Sequence, residues 1–190
     1  LAAAPKPRLA FNPWRDAFAE ARDEAGIVGR PVLIGPYTFV RLSRGVPERG
    51  FAETLRAFVP VYAAALAELA EAGAAAVQLD EPSFVTDVPD SHPAAIAAAY
   101  GELRRAVPGL KLHVQTYFGS LSQPAALLKL PVDGIGLDFT RGGDANEAAI
   151  REFGWPQGVA LGAGVVDGRG IWRVDAEQAL GRLSALRKLA

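Results

Sequence analysis

Short apolar runs that alternate with helical patterns restrict the fold of this chain more than any other feature. The runs are PVLIGP (31–36), AAVQL (75–79), LKLHVQ (110–115), DGIGLDF (133–139) and GVALGAGVV (158–166). Between the first two, Leu55, Phe58, Val59, Tyr62, Leu66 and Leu69 recur at spacings of three and four, which is one face of an amphipathic helix. Ahead of them, Asn12 is placed to cap a helix with Pro13 in its first position and Trp14, Phe18 and Ala25 along one stripe. Three later helices are expected to start at capping boxes: Ser120 with Gln123, Asp144 with Glu147, and Asp175 with Gln178. Five strand-then-helix units in series call for a parallel sheet, because parallel strands need a crossover and the crossover is usually a helix. An open doubly wound sheet and a closed eight-stranded β/α barrel both satisfy that rule. Polar residues at the C-terminal ends of several runs favour the barrel, which places its chemistry there. Five units cannot close it, so the chain is either a fragment or a sheet with two exposed edges.

At 190 residues and 50% hydrophobic, the chain is long enough to bury a real core. A net charge of -1 with mixed signs gives no broad footprint for nucleic acid, and no lysine or arginine block is long enough for a membrane surface. The absence of cysteine removes disulfides, thiolate nucleophiles and Cys-ligated zinc, and a His-carboxylate metal site would have to use His92 or His113. The most apolar window, 59–77, is interrupted by Glu68 and Glu71 and is shorter than a reliable membrane span, so the chain reads as soluble. It opens on Leu1 and contains no methionine, and its natural start is therefore expected upstream. Residues 1–10 read as linker or a truncated upstream segment, and 11–190 as one partial barrel domain. No GxGxxG or P-loop occurs, and the loose glycine turns VDGRG and RGGD are too weak to mark phosphate sites.

Candidate chemistry lies at the run ends. Pro82 stops the second strand just after Asp80 and Glu81. Alternation puts Gln78 and Asp80 on one face, and Val77, Leu79 and Glu81 on the other. With the apolar pair under the helices, Asp80 points into the barrel mouth. There it can bind an amine or cation, act as a base, or simply serve as a turn residue or an arginine's partner. Glu81 is expected to be structural. In LHVQTYFG (112–119), His113, Gln115 and Tyr117 form a polar series at strand spacing, although a lone strand histidine is more often a hydrogen-bonded core residue. Asp138 ends the fourth run, with Gly134 and Gly136 leaving room beside it on its own face. It is placed either to bind or to satisfy loop N–H groups. Arg41, Arg44, Arg141, Arg169 and Arg173 fall in loops of the same rim, a ring able to hold an anion or merely solvated.

Four segments in order, RPVLIGPYTFVRLSRG, VYAAALAELAEAGAAAVQLDEPSFV, VQTYFG and GAGVVDGRGIWRVD, resemble the N-terminal domain of cobalamin-independent methionine synthase over roughly residues 11–188. The resemblance implies two face-to-face β/α barrels in a cytoplasmic parent. The C-terminal barrel holds zinc and transfers a methyl group from a 5-methyltetrahydrofolate polyglutamate to homocysteine, while the N-terminal barrel has lost the metal and helps hold folate. Aligned on Tyr117, the histidine and cysteine zinc ligands of the catalytic half correspond to Val114 and Thr116, the glutamate ligand to Asp138, and the proton-donor histidine to Arg169. Asp80 matches the aspartate that grips the homocysteine amino group, and Trp172 in WRVD marks the N-terminal half. The correspondence sends Val114 and Thr116 inward, whereas simple alternation sends His113, Gln115 and Tyr117 there. The correspondence is preferred because strand ends twist or bulge near sites, and the exposure of His113 decides the matter.

The resemblance makes the five units strands three to seven of an incomplete (β/α)8 barrel. It implies a segment that supports methyl transfer without being the catalyst, with no metal or cofactor of its own. Its expected partners are the C-terminal barrel and a folate polyglutamate, with neither nucleic acid nor membrane. Asp80, Tyr117, Asp138, Arg141 and Arg169 are the binding candidates. Two other readings stay open: a non-catalytic scaffold packed on the C-terminal barrel, and an independent barrel lyase or decarboxylase using Asp80 and His113 as an acid-base pair.

Overall fold

The computed structural model describes residues 6–190, so the first five residues of the stretch read as linker lie outside the described residues. All five apolar runs form strands: β1 (Val32–Ile34), β2 (Ala76–Asp80), β3 (Lys111–Gln115), β4 (Gly134–Asp138) and β5 (Ala160–Gly164). They lie side by side in chain order, every pair parallel, with Ile34 beside Asp80, Asp80 beside Gln115, Gln115 beside Gly136, and Gly136 beside Gly162. A doubly wound sheet reverses its strand order at a switch point, and this sheet never does. Consecutive order with crossovers of one hand places every connecting helix on the same face, as in a barrel wall. The architecture is therefore α/β, a barrel segment of five units.

Among the described residues seven α-helices accompany the strands: α1 (Pro13–Ala25), α2 (Pro36–Leu42), α3 (Phe51–Glu71), α4 (Pro93–Ala106), α5 (Pro124–Leu127), α6 (Gly143–Phe153) and α7 (Ala176–Leu186). Asn12 caps α1 as expected, accepting from the Arg15 N–H at 3.2 Å, and Gly26 ends the helix at φ 65°. The stripe on α1 is narrower than its spacing suggests. Phe18 is buried, but Trp14 is 39% exposed; α1 rests against α3, which Asn12 reaches through a 2.9 Å hydrogen bond to the Ala65 carbonyl. On α3, Leu55, Val59, Leu66 and Leu69 are buried, and Phe58 and Tyr62 pack at the margin.

Of the three expected capping boxes, one shows its N-cap half: Asp175 accepts from the Gln178 N–H at 3.0 Å at the start of α7. Proline suits a first helical position, so α5 starts at Pro124 and leaves Ser120 in the preceding loop. At α6 the cap is Gly142, which lies so close to the Gly119 backbone that no Cβ fits, and Asp144 is already inside the first turn.

The core lies between the sheet and its helices. Leu33, Val77, Leu79, Leu112, Val114, Ile135 and Leu137 leave the strands on one side and join Leu55, Leu66, Leu69, Ile96, Leu103 and Ile150. Each such side chain contributes about 1.5–3 kcal/mol by leaving water. Val114 and Thr116 therefore point at the helices, 2% and 1% exposed, and Thr116 donates its hydroxyl to the Gly136 carbonyl at 2.8 Å. This overturns the expectation that they face inward. No bulge interrupts the pairing of β3 with β2, so plain alternation holds and the half-buried His113 and Gln115 occupy the inner face beside Gln78 and Asp80.

Candidate functional site

Adjacent carboxylates at the end of β2 part company because alternation continues through them. Glu81 turns into the core and is fully buried. Its Oε1 accepts from the Tyr37 N–H at 3.1 Å and the Tyr100 hydroxyl at 2.8 Å, and its Oε2 accepts from the Thr38 N–H at 2.7 Å. Tyr37 and Thr38 lie in the first turn of α2, so a side chain from another strand caps that helix. Gly35 has no Cβ because the Glu81 carboxylate occupies the space. Burial pushes the Glu81 carboxyl up to about 7, against the opposing pull of its Thr38, Tyr100 and Tyr37 donors. The same burial, with the carboxylate nearby, raises Tyr100 well above the ordinary phenol range. Glu81 is structural, as its place in the alternation implied.

Asp80 takes the other face. Its Oδ1 accepts from Gln78 Nε2 at 2.8 Å and its Oδ2 from the Tyr117 hydroxyl at a long 3.4 Å. Partial burial and the Asp80 charge raise the Tyr117 phenol, which keeps its proton as the donor. Asp80 and Tyr117 are thus brought together.

His113 does not join them. It pairs in register with Gln78, two residues before Asp80 and about 7 Å along the strand. Its ring is held below the usual imidazole range by burial first and then by the Arg30 charge. The acid-base pair of the lyase reading is therefore not assembled. The space expected beside Asp138 is also filled: the His113 ring lies over Gly134 and the Gln115 amide over Gly136, leaving no room for a Cβ at either glycine. These glycines are seats for the neighbouring strand's side chains.

Asp138 is buried and fully engaged. Its Oδ1 accepts from the Thr140 N–H and hydroxyl, both at 2.7 Å, and from the Arg141 N–H at 3.0 Å, while its Oδ2 accepts from the Phe118 N–H at 2.8 Å. Burial alone would raise its carboxyl, but these donors outweigh it and hold the group below the ordinary carboxylate range. Of the two roles open to Asp138, satisfying loop N–H groups is the one the geometry displays.

The strained element is Phe118. Its φ of 71° makes it the one non-glycine residue with positive φ among the described residues, and for a bulky side chain this is a true outlier. The bond to Asp138 holds that turn, and Asn146 secures its far side by accepting from the Leu121 N–H at 3.0 Å and donating to the Asp138 carbonyl at 2.9 Å. Phe118 is left 55% exposed, edge-on to Tyr117, with the Arg169 guanidinium 5.2 Å above its ring. Asp167 completes the rim. Its Oδ1 accepts from the Arg169 backbone N–H at 3.0 Å, and its Oδ2 faces Arg141 Nη2 at 3.3 Å.

Gln115, Tyr117, Phe118, Asp138, Arg141 and Asp167 line an open cleft of 170 Å3. An open groove of 1280 Å3 continues past Arg141 to Trp172 and Arg173. Arg41 lies apart on α2, 3.9 Å from Glu48, while Arg141 and Arg173 line the groove and Arg169 lies over Phe118, so no closed ring of arginines forms from them. Phe118, Asp167 and Asn146 escaped the sequence reading. Only the glycines next to Phe118 and Asp167 hinted at turns there.

A zinc ion does not suit these side chains. The inner face of β3 offers an imidazole seated on glycine and an amide, there is no thiolate, and the oxygens of Asp138 already serve four donors. Among the described residues no three histidine, aspartate or glutamate side chains converge, and no helix is long and apolar enough to cross a membrane.

A family model described as the N-terminal domain of cobalamin-independent synthase matches residues 1–190. The chain is similar to the 5-methyltetrahydropteroyltriglutamate–homocysteine methyltransferase of Halalkalibacterium halodurans, at 42% identity over 166 residues, 87% of this chain and 22% of that protein. With the enzyme of the same name from Listeria monocytogenes it shares 38% identity over 181 residues, 95% of this chain and 24% of the relative. The chain thus spans less than a quarter of the length of these curated relatives. Its backbone resembles a B12-independent methionine synthase from a Shewanella species, solved with selenomethionine, at a TM-score of 0.75 and 18% identity, over 99% of this chain and 59% of that one. A methyltransferase from Methanosarcina mazei follows at a TM-score of 0.53 and 14% identity, over 92% and 63% of the two chains. At such identities the shared property is the fold.

Proposed function

Because this chain belongs to the cobalamin-independent synthase family, as part of its N-terminal domain, we propose that it supports folate-dependent methyl transfer to homocysteine in methionine biosynthesis without performing the chemistry itself. The names of its relatives supply the substrate class, a methyl-bearing pteroyl group with a triglutamate tail, and homocysteine as acceptor. In this reading the five units are strands three to seven of the N-terminal barrel, and zinc belongs to a C-terminal barrel of the same cytoplasmic parent. One observation carries the role assigned to this segment: Arg141 lines the cleft opposite Asp167, while Arg169, whose backbone N–H Asp167 accepts, lays its guanidinium over Phe118 in the wall of the same cleft. Two guanidinium groups at the edge of an open cleft suit a ligand with several carboxylates, since each can engage one through two parallel N–H bonds. Asp80 and Tyr117 lie on the inner side of the same rim as a polar wall for the ligand.

The test is titration of pteroyltriglutamate into the protein in its longest natural form, with Arg141→Ala and Arg169→Ala beside the wild type. Weaker binding in the variants supports the folate role. Saturable binding unchanged by both substitutions refutes the part given to these arginines.

A specific observation favours a second reading, the scaffold. Ile171 and Trp172, 90% and 85% exposed, stand with Val174 on the β5–α7 loop as an apolar patch suited to packing on another domain. Charge substitution at Trp172 that separates the domains without changing folate affinity would select it.

A further inference from the structure

Among the described residues, the Arg169 and Arg173 guanidinium groups at the rim have no acid partner, and of these Arg169 is the one that lies over an aromatic ring. Both oxygens of Asp138 are taken up by loop donors, and both oxygens of Asp167 are taken up by the Arg169 backbone and the Arg141 side chain. Arg141 therefore has its acid. The Arg169 guanidinium has neither a hydrogen bond nor an ion pair among the described residues, and its contact is the face of Phe118 at 5.2 Å. A guanidinium held over a ring by its charge, with no other partner, leaves its five N–H donors uncommitted. Such an arrangement narrows the motion of a long side chain while leaving its hydrogen-bonding fork open, which lowers the entropy lost on binding.

The seat itself is held under strain. Phe118 presents its ring from a left-handed backbone, and the Asp138 carboxylate accepting its N–H maintains that conformation. A bulky residue kept in such a region, half exposed and supported by a buried acid, is the kind of outlier that points to a ligand clamp.

We propose that Phe118 and Arg169 form a carboxylate-binding shelf, in which the aromatic ring holds the guanidinium ready to take one ligand carboxylate in two parallel hydrogen bonds. This rests on the folate reading only for the identity of the ligand, a glutamyl carboxylate of the tail. Asp138 is the positioning residue, acting through the Phe118 turn. Arg141, already opposite Asp167, makes the smaller contribution.

The experiment is calorimetric titration of the protein in its longest natural form with two probes, γ-linked triglutamate and pteroyltriglutamate. Arg169→Ala is expected to weaken triglutamate about tenfold or more. Arg169→Lys should recover little of that loss, since an ammonium has no fork. Phe118→Leu, which keeps apolar bulk without the aromatic face, should weaken triglutamate by a smaller factor and steepen its salt dependence as Arg169 becomes mobile. Full recovery of affinity by Arg169→Lys, or no change in Arg169→Ala, overturns the shelf. If pteroyltriglutamate still binds in that case, the folate reading survives it. If the wild type binds neither probe, both fall together.

Discussion

Glu81 is the most exposed point of the structural account to experiment, because its burial and its donors oppose each other. In the unfolded chain its carboxyl titrates near the ordinary 4.5, and in the fold near 7. The folded state therefore holds the proton more tightly. Stability linked to this group is complete below the unfolded value, falls as pH rises from about 4.5, and levels off above the folded value near 7. Two and a half units at 1.36 kcal/mol each make the whole effect about 3 kcal/mol. Glu81→Gln removes the ionisation while keeping an oxygen for two of the three donors. The third donor then faces an amide NH2, which costs about 1 kcal/mol at every pH. The expected result is a wild-type stability, measured by urea unfolding between pH 5 and 8, that declines as pH rises relative to a flatter profile for Glu81→Gln. A 13C-labelled Glu81 carboxyl should titrate with the same midpoint, and the Tyr37 and Thr38 amide resonances should move with it. Parallel unfolding profiles for wild type and variant, or a Glu81 carbon already fully ionised at pH 5.5, would refute the reasoning. The converging donors would then outweigh burial.

Other outcomes follow from the same structure. Gly134→Ala, which places a methyl where the His113 ring lies, should lower stability by about 1–3 kcal/mol, and the double variant with His113→Ala should recover part of that loss in thermal unfolding. Asp138→Asn should destabilise by about 1–3 kcal/mol, because one of its oxygens becomes a donor facing donors. It should also remove the part of acid unfolding that arises as pH falls through the lowered carboxyl of Asp138, checked by circular dichroism against pH. Phe118→Gly should raise stability by up to about 1 kcal/mol by relieving the left-handed backbone, while losing the seat for Arg169 and with it triglutamate affinity. Calorimetry with both readings on one variant tests that opposition.

What could be read in the sequence depended on how local the determining physics was. All five strands were legible, since short apolar runs between helical patterns have few other uses, and the inward Asp80 and buried Glu81 followed from a period of two. The same period corrected the largest error. Matching Val114 and Thr116 to metal ligands by alignment on Tyr117 shifted β3 by one residue, and a shift of one exchanges the faces of a strand. Alternation alone had His113 and Gln115 on the correct side. The roles of Asp138 and Gly134 were not legible, because the Phe118 N–H and the His113 ring come from the neighbouring strand-and-loop unit, about 20 positions earlier in the chain. Phe118 carried no mark beyond the glycine that follows it. Its backbone is forced by Asp138 and Asn146, and neither its residue type nor its immediate neighbours demand a left-handed turn.

The overlap of β3 side chains onto bare β4 backbone has a consequence for traffic through the molecule. With an imidazole and an amide covering the backbone at Gly134 and Gly136, the inside of the wall is upholstered there. On the proposed function, the loops above that floor choose the guest, and changing them alters it without rebuilding the wall.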